Sequence, residues 1–356
     1  WVAVLMTWAF HLVRLPFPAD APALLRPPVS SEAAGGEGEG PGQDRGWPLV
    51  LFSHGLGGCT TTYSSVCAEL ASQGYVVVAV EHRDGSAVVT CSLESGNSLP
   101  FQTRTAALLG DDEGLAWRRR QLQQRVEELF SVITTYRGLQ AEQEKGARGG
   151  GAQEADSPGK QTLRDLRLDL SRVLLVGHSF GAATVTLAAH SWGNHHPEIG
   201  IRAVVSLDPW MFPVPDEAYR DLGVPSLVVM SQTMMWPSNH SLLDKFFDAQ
   251  SHCLFTEVRD TRHQDQSDVV SIAPFLCRML CMGGMRPPHE ALDLNLDVIL
   301  RFLRSTDPSH RSMLPQAAQQ HPPVKEPPSS GKGLLIHGAS GAFDQLAPIQ
   351  TSAGSS

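Results

Sequence analysis

The chain has 356 residues, of which 42% are apolar, 18% charged and 7% aromatic, enough apolar material for a full-sized core. Length alone suggests about two domains, but the 32 glycines and 25 prolines fall in clusters, so part of the length is expected to be linker and tail. A formal charge of −9 excludes a nucleic-acid surface, which needs concentrated Lys and Arg, and the one dense basic run, Arg118-Arg119-Arg120, reads as a solvated helix face.

Residues 1–17 are strongly apolar, but His11 and Arg14 interrupt them and they fall short of the roughly 20 residues that a bilayer span requires. Trp1, Leu5, Trp8, Leu12 and Leu15 recur at helical spacing and Pro16 stops the pattern, which predicts a helix whose apolar face either joins the core or touches lipid. Trp1 rather than Met stands first, so an upstream segment is expected. Segments 27–46 and 141–160 read as flexible insertions, and 305–356, with Pro322-Pro323 and Pro327-Pro328, as a disordered tail. A first unit of residues 1–304 is thereby separated from that tail.

Between these segments lie short apolar runs at 49–53, 75–81, 172–177, 203–207, 226–230 and 253–258. Runs of Val, Leu and Ala without polar alternation are what strands buried on both faces of a parallel sheet look like. Helical patterns at 63–73, 117–136, 181–190, 241–249 and 292–303 fall between them. This alternation predicts an α/β fold, a mostly parallel sheet with helices on both faces, whose chemistry collects at the carboxyl ends of the strands.

The six cysteines lack CxxC pairs and are too sparse for a disulfide scaffold; Cys277 and Cys281, a helical turn apart, read as small buried apolar groups. One glycosylation sequon, Asn239-His240-Ser241, would matter only in a secreted chain.

Gly177-His178-Ser179-Phe180-Gly181 matches G-x-S-x-G, the elbow that exposes a serine hydroxyl between a strand and a helix, and both expected neighbours flank it. Serine at its ordinary pKa is a weak nucleophile, so a base and an orienting acid must lie after strands on the same sheet edge. Asp208 directly follows the run 203–207 and is the candidate acid. Of 14 histidines, His252 precedes its strand, His195 and His196 are expected in a polar loop beside Asn194, and His310, His321 and His337 lie in the tail; His263 follows the run 253–258 and is the candidate base. The order Ser, Asp, His is that of α/β-hydrolases. A metal site built on His263, Asp265 and Asp268 is the weaker reading, since the spacing offers no second histidine, and neither a metal nor a cofactor is expected. The loop Ser53-His54-Gly55-Leu56-Gly57-Gly58 follows the first run, so the backbone N–H groups of Leu56 and Phe180 are the candidate oxyanion donors.

Leu51-Phe52-Ser53-His54-Gly55-Leu56-Gly57, Tyr63-Ser64, Val80-Glu81-His82-Arg83-Asp84, the elbow and Leu207-Asp208-Pro209-Trp210-Met211-Phe212-Pro213 together resemble the platelet-activating factor acetylhydrolases of the lipoprotein-associated phospholipase type. The resemblance runs from about residue 8 to residue 303. It implies the α/β-hydrolase fold and calcium-independent hydrolysis of a short or oxidised sn-2 acyl ester, such as the acetyl group of platelet-activating factor. It places the nucleophile, acid and base on Ser179, Asp208 and His263 and the oxyanion donors on Leu56 and Phe180. It also implies contact of Trp8, Leu12 and Leu15 with a membrane or lipoprotein surface, in a protein that is either cytoplasmic or secreted and has no transmembrane span. Family members carry sequence upstream, so the first strands of the sheet are expected to be missing. Thr261-Arg262, Val269-Val270 and Pro209 depart from the family's pattern and leave the triad intact. The elbow alone also fits a general carboxylesterase or neutral lipase, and the lipid-facing helix fits a catalytically weak lipid-surface binding protein.

Overall fold

A computed structural model of the chain describes residues 46–91, 95–102, 112–149, 162–163, 165–234 and 237–307 and the backbone of a strand at 334–338. In chain order the elements are β1 (Trp47–Ser53), α1 (Ser64–Ser72), β2 (Val76–Val80), β3 (Thr90–Cys91), β4 (Ser98–Leu99), α2 (Asp112–Gly149), β5 (Leu168–His178) and α3 (Phe180–His195). They continue with β6 (Ile201–Leu207), β7 (Ser226–Ser231), α4 (Pro237–Ala249), β8 (Cys253–Val258), α5 (Val269–Ile272), α6 (Pro274–Met279), α7 (Pro288–Thr306) and β9 (Leu334–Gly338).

The sheet runs β2-β1-β5-β6-β7-β8-β9, parallel from β2 to β8, with β9 antiparallel on the edge of β8. Successive strand residues point to opposite faces, so the continuous apolar runs feed two cores. Leu49, Leu51, Val173 and Leu175 pack with Leu122, Leu129 and Ile133 of α2 and with Val185 and Ala188 of α3. Val50, Phe52, Leu174 and Val176 pack with Val66 and Leu70 of α1 and with Ile299, Phe302 and Leu303 of α7. The expected α/β-hydrolase architecture, helices on both faces of a mostly parallel sheet, is what forms.

From β1 the chain steps outward to β2, and from β5 it steps the other way through β6, β7 and β8. The order therefore reverses between β1 and β5, and the crevice at a parallel sheet's carboxyl edge opens at such a switch point. The loop after β1 and the turn after β5 both lie there.

Several boundaries move. The helix expected at 117–136 runs from Asp112 to Gly149, so the first nine residues of the segment expected as an insertion at 141–160 are helical. Ala141-Glu142-Gln143-Glu144-Lys145 are strong helix formers, which carries the helix into that segment. The tail expected to be disordered supplies β9, because its Leu334-Leu335-Ile336 run meets the unpaired backbone edge of β8. Helix α3 continues through His195, which is not in a loop. Cys277 is buried as expected, whereas Cys281 is exposed, in a turn with φ 56°. Asn239 is fully buried, which removes the sequon from the folded surface. Among the described residues no helix is long and apolar enough to cross a membrane.

Candidate active site

Ser179 stands between β5 and α3 at φ 56° and ψ −116°, a conformation in which L-residues are strained, with 8% of its surface exposed. The two glycines of the motif make the turn physically possible. A Cβ on Gly181 would overlap the carbonyl oxygen of Ser53, and one on Gly177 the carbonyl oxygen of Gly181. Only glycine lets α3 leave so close to β1 and β5.

Asp208, immediately after β6, is fully buried. Its Oδ1 accepts the N–H of Ser231 at 2.5 Å and its Oδ2 the Ser231 hydroxyl at 2.6 Å. The same Oδ2 lies 3.2 Å from Nδ1 of His263, which opens the 3₁₀ turn His263–Gln266 beyond β8. The carboxylate thus fixes the imidazole with Nδ1–H toward it and Nε2 bare. The His263 ring packs on His178, whose neighbour is Ser179, with centroids 4.4 Å apart. The structure brings the three sequence-predicted residues to one sheet edge.

In the loop after β1 the N–H groups are nearly all spent. Gly55 donates to the Tyr63 hydroxyl at 3.1 Å, Gly57 to the Ser86 carbonyl at 2.8 Å and Gly58 to the Gly55 carbonyl at 3.0 Å. The N–H of Leu56 finds no acceptor among the described residues, nor does that of Phe180 at the first position of α3, where helices leave N–H groups unpaired.

One face of α2 braces this loop. Arg125 is fully buried, pairs with Asp84 at 2.9 Å, donates to the His54 carbonyl at 2.7 Å and lies 4.4 Å from the centre of the Phe180 ring. One turn on, Glu128 accepts from His82 Nδ1 at 2.7 Å while His82 Nε2 accepts the Ser53 hydroxyl at 2.8 Å. This second Ser-His-Glu arrangement has a fully buried serine and histidine, so it serves to hold strand ends together. Burial pushes the imidazoles of His54, His82 and His178 below their ordinary range, which keeps them neutral. The basic run divides: Arg119 and Arg120 are exposed, but Arg118 is buried between the rings of Trp117, Phe180 and Trp210 and donates to Gln121. The expectation of a wholly solvated face is corrected at that residue, because Arg118 and Gln121 share the helix side turned to the sheet.

Asp265 and Asp268 do not join His263. Asp265 accepts the N–H groups of Arg262 and Gly284, and Asp268 that of Ser65 at the start of α1. His178, Asp208 and His263 present ligand-type atoms within 4.8 Å of one another, but those of His178 and Asp208 are engaged with Tyr63, the His263 carbonyl and Ser231. Those hydrogen bonds occupy donor atoms that a metal ion would need. Trp8, Leu12 and Leu15 lie outside the described residues. The sequence pattern assigns no role to Arg125 or Ser231, and it names Tyr63 and His178 only as members of the motifs Tyr63-Ser64 and G-x-S-x-G. Asn239, read from the sequence only as part of a sequon, has a side chain that pins the loop after Asp208 through Met211 N–H and the Pro209 carbonyl.

The family described as platelet-activating factor acetylhydrolase, isoform II, matches residues 29–317. The chain is 30% identical over 291 residues to a platelet-activating factor acetylhydrolase of Gallus gallus, covering 78% of this chain and 64% of that protein. It is 31% identical over 265 residues to the Bos taurus protein of that name, covering 72% and 56%. A putative phospholipase A2 of Schizosaccharomyces pombe is 23% identical over 342 residues, covering 85% and 74%. The chain thus spans less than two thirds of the length of the two acetylhydrolases. In fold it is similar to a ferulic acid esterase from Streptomyces cinnamoneus, with a TM-score of 0.54 and 17% identity over 84% of this chain and 75% of that one.

Proposed function

This chain belongs to the platelet-activating factor acetylhydrolase isoform II family, and we propose that it is a serine esterase hydrolysing the sn-2 acetyl or short, oxidised acyl ester of phospholipids. His263 Nε2 takes the proton of the Ser179 hydroxyl as its oxygen attacks the ester carbonyl. The N–H groups of Leu56 and Phe180 stabilise the oxyanion. Collapse of the tetrahedral intermediate passes the proton to the departing sn-2 oxygen, releasing lyso-phospholipid and leaving the acyl group on Ser179. Water, deprotonated by His263, then frees the acid. Asp208 holds the imidazole tautomer and stabilises the imidazolium. Backbone N–H groups polarise the carbonyl, so this mechanism gives calcium no role.

The observation that carries this reading is the Asp208–His263 pair beside a strained Ser179, facing a loop in which the N–H of Leu56 is unspent among the described residues. Contact with a lipid surface draws support from Phe275, Met279 and Met285, which are 80%, 66% and 83% exposed on the segment following His263; Trp8, Leu12 and Leu15 would extend that surface. These exposed side chains favour an aggregated lipid substrate over the soluble esters of a general carboxylesterase.

Hydrolysis of an acetyl-phospholipid, compared with a long-chain triacylglycerol and with EDTA present, tests the reading. The acetyl-phospholipid is expected to be cleaved faster, unaffected by chelation, with Ser179→Ala inactive and unlabelled by a fluorophosphonate. Turnover surviving in Ser179→Ala would sink the mechanism, faster triacylglycerol cleavage would replace it with a lipase, and lipid binding without labelling would leave a binding protein.

A further inference from the structure

We propose that Tyr63 and His178 are positioning residues that lock the oxyanion loop to the loop bearing the base through one hydrogen-bonded chain, an inference that rests on the hydrolase reading above. The donor directions follow one from another. A carbonyl only accepts, so the His178 Nε2 that faces the His263 carbonyl oxygen at 3.1 Å carries a proton. His178 is 1% exposed and without a carboxylate partner, so it is neutral and its Nδ1 is bare. Tyr63 Oη, 2.7 Å from that Nδ1, therefore donates to it and is left to accept the Gly55 N–H at 3.1 Å. The other tautomer would set the bare Nε2 against a carbonyl oxygen. A protonated ring would leave the Tyr63 hydroxyl proton without its acceptor.

The chain begins one residue before Leu56, passes the residue before Ser179 and ends on the backbone of His263. Its members are in direct contact as well. A Cβ on Gly55 would lie 3.0 Å from Tyr63 Oη and 3.2 Å from both His178 Nδ1 and Ser179 Cβ, so the loop rests on the chain itself. Tyr63 is 3% exposed, which closes it to substrate. Both side chains thus act through others: Tyr63 sets the peptide that leads into the Leu56 N–H, and His178 sets the depth of the loop that carries His263. Arg125 holds the same peptide from the far side through the His54 carbonyl, leaving the Gly55 N–H to Tyr63.

The test uses acetyl-phospholipid turnover by the full chain, with kcat normalised to the fraction of active sites titrated by a fluorophosphonate at completion. Tyr63→Phe removes the middle link. His178→Gln places an amide where Nε2 was and keeps the bond to His263, whereas His178→Asn places one where Nδ1 was and keeps the bond from Tyr63. Tyr63→Phe and both His178 variants are expected to lower kcat about 10- to 100-fold, a lost hydrogen bond's worth of barrier, with KM changed less than about twofold. Combining Tyr63→Phe with His178→Gln is expected to cost little more than either alone, since a broken chain breaks only once. Unchanged kcat in Tyr63→Phe, or losses that multiply in the double variant, would overturn the inference; should Tyr63→Phe fail to fold, full kcat in His178→Gln or His178→Asn would do so. A wild-type chain without ester turnover would overturn the hydrolase reading and this inference with it.

Discussion

Three buried imidazoles make the stability of this fold acid-sensitive near neutral pH. His54 donates from Nδ1 to the Gly55 carbonyl, His82 lies between Ser53 and Glu128 near the charge of Arg125, and His178 lies between Tyr63 and the His263 carbonyl. Burial is the main cause that lowers each of the three, and His82 and His178 fall well below the ordinary 6.5. A depressed folded-state pKa means that the unfolded chain binds the proton first. The stability is therefore full above pH 6.5 and is lost as pH falls toward the folded values. Between pH 7.5 and 5.5 an unfolded imidazole of pKa about 6.5 takes up a proton that the folded state refuses, a cost of about 1.4 kcal/mol per group. His82 and His178 together cost about 3 kcal/mol, to which His54 adds in the same direction, against a total stability of roughly 5–15 kcal/mol. Glu128, Asp265 and Asp268 are raised by burial and act with the opposite sign, so the histidine contribution is isolated by difference. Urea unfolding at the two pH values measures the loss in wild type and in His178→Gln, whose loss should be smaller by about 1.4 kcal/mol. An unchanged loss in His178→Gln would refute the reasoning.

Gly181→Ala drives a methyl group into the Ser53 carbonyl and is expected to cost at least about 1–3 kcal/mol and most of the fluorophosphonate labelling of Ser179. In the same helix Gly193→Ala, where the added Cβ meets nothing within 4 Å, should instead stabilise by about 0.5–1 kcal/mol; equal effects in thermal melts would contradict the steric account. Arg125→Met leaves Asp84 charged and buried, with an expected loss of about 3–5 kcal/mol in urea that Asp84→Asn partly restores; an additive double variant would argue against the pair. Ser231→Ala removes one of the two hydrogen bonds that Ser231 donates to Asp208 and should lower kcat about 10-fold with KM unchanged, whereas wild-type kcat would show that the Ser231 N–H suffices.

By itself the amino-acid sequence determined the features that local pattern encodes. Apolar runs without alternation announced strands covered on both faces, and β8 was read to its last residue because Cys253–Val258 is bounded by polar turns on both sides. Ser179, Asp208 and His263 were legible for the same reason: in a parallel sheet each strand's carboxyl end lies on one edge, so order along the chain already stands for proximity. The tertiary structure alone decided which polar residues are buried and with whom. Arg118 and Arg119 are neighbours in one basic run, yet only the face turned toward Phe180 and Trp210 makes Arg118 an interior side chain. Tyr63 and His178 meet across 115 positions and Arg125 reaches the His54 carbonyl across 71, and no periodicity encodes such meetings. The pairing of β9 with β8 is of the same kind, since an edge strand is chosen by the free hydrogen-bonding groups of a distant partner. The residues proposed to react are thus placed by strand order, while the buried hydrogen bonds around them depend on packing between segments far apart in the chain.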